Sequence, residues 1–280
     1  MGYVDLHLHS TASDGRLAPA EVVREVAARG LVGLALTDHD TVAGLQEASA
    51  EAARLGLAFL PGAELSSNEP GRSIHLLAYC FDGEEPGLAA FLREYRVDRE
   101  RRAGRIVERL NDVGVPLDLE AVRREAGAGV PTRAHVARAL VAEGLVGGTR
   151  AAFERYLARG RPAFVEKRPT PPEMVIGVVH AAGGVVLLAH PGRVHRAPEV
   201  RRWIRAGLDG IEILHPDNRL PTRRSMEALV HQHGLLRGGG SDWHGPDSER
   251  AELGSQRVPL RWMKEIAERA VKDADPSAED

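Results

Sequence analysis

A single cysteine, Cys80, stands in the whole chain, so no internal disulfide can form and no cysteine-cluster metal site can be built. Lysine is nearly as scarce. Lys167, Lys264 and Lys272 are the only ones, so almost all of the positive charge is guanidinium. No apolar run approaches the ~20 residues that a membrane span needs, and no charged-then-apolar leader opens the chain. The expectation is a cytoplasmic protein without a membrane partner. A formal net charge of −3 provides no overall basic field. Recognition of phosphate must then come from a local pocket, and no stable partnership with long nucleic acid is expected. What is present is 280 residues with 43% apolar content, enough for one large domain or one domain carrying a modest insertion.

Apolar, β-rich runs alternate with helix-patterned stretches, which predicts an α/β arrangement with parallel strands. The candidate strands are "YVDLHLH", "VGLALTDHD", "LAFLPGAEL", "SIHLLAYC", "GGVVLLAHPG", "GIEILHP" and "LLRGGGSDWH". Between them "APAEVVREVAARG" and "TVAGLQEASAEAARLG" read as helices, each closing on a glycine. A further helix is expected over "PPEMVIGVVHAAGG". The rhythm breaks between Asp98 and Glu166, where arginine, alanine and glutamate recur at helical spacing with no strand among them. Several helices in succession exceed what one crossover requires. Residues 98–166 are therefore read as a helical insertion into a body formed by residues 1–97 and 167–280.

In an extended segment the side chains at i and i+2 share a face, so Val4, Leu6 and Leu8 lie opposite Asp5, His7 and His9. On that spacing alone a metal site and a decorated strand both stay open. The ends of the other strands carry the argument further. His39 lies between Asp38 and Asp40, and Glu64, His75, His190, Glu212, His215, Asp242 and His244 accompany apolar runs elsewhere. Most follow the run, at the strand ends where α/β barrels build active sites. Crowding so many imidazoles and carboxylates without cations would be unfavourable, because buried polar groups need partners and like charges repel. Nitrogen and carboxylate ligands without thiolate suit manganese, iron or zinc. The candidate ligands, His7, His9, Asp14, His39, Glu64, His75, His190, Asp242 and His244, are too many for one ion, so two or three divalent ions are expected. His180, His231 and His233 fall in helical patterns and read as surface or packing residues, and His195 follows a site loop.

The ordered set "DLHLHSTASDG", "LTDHDT", "PGAELS", "IHLLAY", "LAHPG" and "GSDWHG" resembles the polymerase and histidinol phosphatase (PHP) family of metallophosphoesterases. The resemblance implies a distorted (β/α)7 barrel with a trinuclear metal centre. It implies that His7, His9, Glu64 and Asp242 hold one ion, and that Glu64 bridges to a second with His75 and His190. Asp14, His39 and His244 would hold a third. The insertion is similar to that of the subgroup acting on nucleoside 3′,5′-bisphosphates and on 5′-phosphorylated oligonucleotides as a 5′→3′ exonuclease.

The chemistry expected is phosphoester hydrolysis, in which a metal-bound water is deprotonated near neutral pH and aimed at phosphorus. A dianionic monoester calls for further cations, and the candidates are Arg133 and His135 in the insertion and Arg193 after "AHPG". His215 is a candidate phosphate contact or proton donor to the leaving oxygen. Asp38 and Asp40 are expected to orient ligand histidines. Three rival readings are a histidinol-phosphate phosphatase, an amidohydrolase and a non-catalytic metal-binding domain. The insertion speaks against the first. The absence of a lysine at a barrel strand end speaks against the second, and the full ligand set against the third.

Overall fold

A computed structural model describes residues 2–70, 72–127, 129–193, 196–246 and 251–274. The strands follow the apolar runs: β1 (Tyr3–Asp5), β2 (Gly33–Leu36), β3 (Ala58–Glu69), β4 (Arg72–Tyr79), β5 (Val185–Leu188), β6 (Gly210–Leu214) and β7 (Leu236–Gly239). An eighth, β8 (Val258–Pro259), is two residues long and has no apolar run to signal it. They form one sheet in the order β7-β6-β5-β4-β3-β2-β1-β8.

The sheet is mixed rather than parallel throughout. β4 runs antiparallel to β3 and to β5, and β8 antiparallel to β1. The cause lies in connection length, because β4 begins three residues after β3 ends. A parallel partner needs a crossover of about a dozen residues, whereas so short a link permits only a hairpin. β3 also changes partner along its length, pairing with β2 over Ala58–Pro61 and with β4 over Gly62–Glu69.

β1 ends at Asp5, so His7 and His9 lie in its extended continuation rather than in the ladder. That continuation closes the barrel. Leu6 N donates to Gly239 O (3.1 Å), Asp242 N to His7 O (3.0 Å) and His9 N to Trp243 O (3.1 Å). The approach is tight enough that a Cβ on Gly240 would lie 2.4 Å from the His7 Cβ, so only glycine fits there.

Helices α1 (Pro19–Ala28) and α2 (Leu45–Leu55) follow the first two strands. Between β4 and β5 come α3 (Pro86–Asp112), α4 (Leu119–Ala126), α5 (Arg133–Ala142) and α6 (Thr149–Ala152). After them come α7 (Pro172–Ala181), α8 (Ala197–Arg205), α9 (Leu220–His233) and α10 (Leu260–Ala274). Pro19 opens α1, where its missing N–H is not needed, and Glu21 accepts a hydrogen bond from Ala18 N at 2.8 Å. The buried stripe Val22, Val23 and Val26 packs on Leu8, Leu34 and Leu36. Each such buried aliphatic contributes about 1.5–3 kcal/mol. Leu8 thus faces the helices, and the alternation of side chains turns His7 and His9 toward the barrel interior.

The chain divides into two compact units, Met1–Phe91 with Pro169–Asp280, and Leu92–Arg168, with the division falling inside α3. The second unit has its own core, which includes Ile106, Leu110, Val122, Val136, Leu140 and Leu157. Its helices α4 and α5 are capped by the side chains of Asp118 and Thr132. Lys167 lies in this unit and Lys264 and Lys272 on α10, so no lysine stands on a barrel strand. No helix among the described residues is long and apolar enough to cross a membrane.

Candidate metal centre

All nine candidate ligands meet in one connected cluster. Glu64 is its hub, touching five imidazoles: Oε2 lies 3.1 Å from His7 Nε2, 3.2 Å from His9 Nε2 and 3.3 Å from His39 Nδ1, and Oε1 lies 2.7 Å from His75 Nδ1 and 2.8 Å from His190 Nε2. Asp242 Oδ1 stands 3.2 Å from His9 Nε2 and 3.5 Å from His7 Nε2. Asp14 Oδ1 stands 3.3 Å from His244 Nε2 and 4.0 Å from both His9 Nδ1 and His39 Nε2. The reversed direction of β4 explains why His75 precedes its apolar run while most of the other candidate ligands follow theirs.

The donor atoms fall into groups whose members lie within 4.8 Å of one another: His7, His9, Glu64 and Asp242; His9, Asp14, His39 and His244; and His39, Glu64 and His75. Both ring nitrogens of His9 and Nδ1 of His39 are buried without a hydrogen bond. Buried polar atoms are nearly always bonded, so unbonded nitrogens converging with carboxylates fit a cation coordinated there. A neutral imidazole has one lone pair, so His9 can serve only one of the two groups it borders.

The electrostatics follow from the same crowding. Burial opposes charge on His7, but Glu212, Glu64 and Asp242 outweigh it and hold the imidazole well above its ordinary pKa. Burial likewise opposes charge on His9, yet the carboxylates of Asp242 and Glu64, each 3.2 Å from its Nε2, push it up to about 9. His39 is pulled down to about 3, chiefly by burial. Glu64 and Asp14 are pushed upward by burial, but the surrounding histidines hold both well below the carboxylate range. Among the non-glycine residues with positive φ are Asp40 (53°), His190 (29°) and Asp242 (55°). Such strain gathers at functional sites, at about 1–3 kcal/mol per residue.

The carboxylates around the cluster divide their work differently from the expectation. Among the described residues Asp38 bonds no imidazole. It accepts from Ser10 N (2.8 Å), Ser10 Oγ (2.6 Å) and Ser13 Oγ (2.5 Å), and so holds the loop that carries Asp14. Asp40 accepts from Ser66 N at 2.6 Å. Glu212 is the carboxylate that meets an imidazole's far nitrogen, His7 Nδ1, at 2.9 Å. Its signal is a carboxylate inside the apolar run "GIEILHP", but nothing in the sequence sets it apart from a ligand.

His215 is buried beside the cluster. Its Nδ1 accepts from Asp217 N (3.0 Å), and its unbonded Nε2 lies 3.5 Å from Asp242 Oδ2. A neutral ring accepting at Nδ1 carries its proton on Nε2, so His215 faces the centre as a donor. Arg133 and His135 lie in the second unit. The Arg133 guanidinium stands 5.9 and 5.7 Å from the Phe153 and Phe164 ring centroids and donates to Leu157 O. His135 is buried, and its Nδ1 accepts from Thr132 N in the cap of α5. Arg193 closes a short 3-10 turn, Pro191–Arg193, but its side chain lies outside the described residues, as does His195.

Residues 5–182 match the model of the PHP domain. The chain belongs to the PHP domain family. Among PHP relatives, a 5′-3′ exoribonuclease of Haemophilus influenzae is 38% identical over 86% of this chain and 90% of its own. A 3′,5′-nucleoside bisphosphate phosphatase of Chromobacterium violaceum is 36% identical over 91% of each. A Bifidobacterium adolescentis structure described as a metal-dependent phosphoesterase superposes with a TM-score of 0.89 at 32% identity, covering 95% of this chain and 96% of its own.

Proposed function

We propose that this PHP protein is a metal-dependent phosphoesterase acting on nucleotide phosphate esters. Its substrates on this reading are nucleoside 3′,5′-bisphosphates, losing the 3′-phosphate, and short 5′-phosphorylated oligonucleotides. The observation that carries the reading is Glu64 with both carboxylate oxygens ringed by imidazoles, beside buried ring nitrogens that have no hydrogen bond. The names of the two relatives above support the nucleotide part of the reading.

The nine clustered residues would hold two or three ions of manganese, iron or zinc. When bound, such ions activate a water and offset phosphoryl charge. The protein's own residues do the rest. Asp38 keeps the Asp14 loop in place, and His215 offers its Nε2 proton to a phosphoryl or leaving oxygen. The test is a phosphate-release screen with added manganese over bisphosphates, short oligonucleotides, mononucleotides and histidinol phosphate. Turnover is expected for the first two, and silence on every phosphoester would sink the reading.

The second unit supplies the selectivity on this reading, by gripping a second phosphate. Burial first, and then the charge of Arg99, lower the pKa of Arg133. Arg102, whose Nε donates to Val165 O, is lowered to about 9 by burial and by Arg133 and Arg99. Buried guanidiniums that repel one another favour an anion between them, and their planar forks suit phosphate. His135 stands two residues along α5 from Arg133. Arg133→Ala is expected to lower kcat/KM for a bisphosphate by about 10- to 100-fold, the worth of a charge-assisted bond. A substrate lacking the second phosphate should change only slightly. An unchanged ratio between the two substrates would refute the grip.

A further inference from the structure

We propose that Glu212 is a positioning residue that sets His7 and His190 in register on either side of Glu64, without itself holding an ion. The proposal rests on the metal-centre reading above and assigns a role to a residue outside the nine. Glu212 is fully buried in the middle of β6, where a bulge shifts the register toward β7. Its Oε1 meets His7 Nδ1 at 2.9 Å, and its Oε2 accepts from His190 N at 2.6 Å. The two histidines it touches then approach different oxygens of the hub: His7 Nε2 lies 3.1 Å from Glu64 Oε2 and His190 Nε2 lies 2.8 Å from Glu64 Oε1. One carboxylate therefore governs two ligands that serve opposite sides of a bridge.

The two bonds act by different physics. An ionised carboxylate only accepts, so His7 carries its proton on Nδ1 and presents a lone pair at Nε2. At His190 the bond is to backbone, and it holds a non-glycine residue at φ 29° that would otherwise relax. Glu212 is itself fixed. Asn218 Nδ2 donates to Glu212 O (2.8 Å), and Asn218 Oδ1 accepts from Gly192 N (2.8 Å). These bonds tie β6 at Glu212 to the turn that follows His190.

The competing role is that of a ligand, since donor atoms of His7, Glu212 and His215 lie within 4.8 Å of one another. Neither imidazole has a lone pair to give there. The proton on His7 Nδ1 points at Glu212, and the Nδ1 lone pair of His215 is taken by Asp217 N. That space is closed to a cation by hydrogen bonds already made.

The test uses metal content and tautomer rather than turnover. Glu212→Gln keeps the volume but leaves one accepting oxygen for two donors. Dialysed against manganese, the folded variant is expected to bind 10- to 100-fold more weakly, with more than one ion affected, as measured by equilibrium dialysis and elemental analysis. Wild-type affinity and content would overturn the proposal. Loss of one ion with the rest at wild-type affinity would overturn it too, making Glu212 a ligand. A wild-type protein that binds no ion would instead defeat the phosphoesterase reading. Should the variant not fold, the zinc-loaded wild type still decides. A long-range 1H–15N spectrum is expected to show His7 protonated at Nδ1, and a proton at Nε2 would overturn the assignment.

Discussion

Glu64→Gln is expected to lower hydrolysis of a nucleotide phosphate ester by more than about 1,000-fold, with the chain still folded. The size of the effect follows from position. Removing a carboxylate that only orients a ligand costs about 10- to 100-fold, and Glu64 lies inside the ligand cluster rather than behind it. Three imidazoles face one of its oxygens and two face the other. Glutamine preserves the shape but replaces one oxygen with an amide nitrogen, which binds no cation and donates where imidazole lone pairs converge. It also removes the negative charge that would offset the cations held by this cluster. The variant should therefore lose bound metal as well as rate, which separates this effect from a misplaced substrate. His9→Ala and Asp242→Asn should fall in the same direction. Turnover within ten-fold of wild type at full metal content would sink the proposal that Glu64 is a shared ligand.

The parts of this site legible in the sequence are those where chemistry and periodicity coincide. His7 and His9 stand out because alternation puts them on the face opposite Leu6 and Leu8, and the structure keeps that alternation beyond the last ladder residue, Asp5. His75 was harder to place, since it comes before its apolar run. Only the hairpin that reverses β4 brings it beside Glu64. What stayed hidden depended on partners distant in sequence. Asp38 lies next to the candidate ligand His39, yet it bonds Ser10 and Ser13, and no local pattern reveals that choice. Glu212 carries the same residue type as Glu64 and likewise lies within a strand, in β6 as Glu64 does in β3. Its different surroundings come from the tertiary meeting with His7 Nδ1, 205 residues away. Arg102 looked like one more arginine on a charged helix until the fold buried it against Val165 O.

Metal binding should stabilise the protein by an amount that grows with pH. In the metal-free protein the proton on His9 is held to about pH 9, against about 6.5 in an unfolded chain. A group raised in this way contributes stability that is fully present below about 6.5 and is lost as pH climbs toward 9. His7 shifts in the same direction. The metal-free protein should thus melt at progressively lower temperature across that window. A cation needs these nitrogens deprotonated, so its binding releases protons and tightens over the same range. His39, with its pKa near 3, is neutral in the folded protein over this range whether or not metal is bound, so it adds nothing to the widening of the gap. Each ion at a hundred times its Kd contributes about 2.7 kcal/mol. Two ions then raise Tm by roughly 10–20 °C, at about 2–4 °C per kcal/mol for a chain of this size. Melting curves with chelator and with excess manganese, taken from pH 6 to pH 9, measure the gap directly. It should widen with pH, because the chelated curve falls while the loaded curve is held. A gap that narrowed would mean that the protons on His7 and His9 are not the ones a cation displaces, and the ligand assignment for both would fail with it.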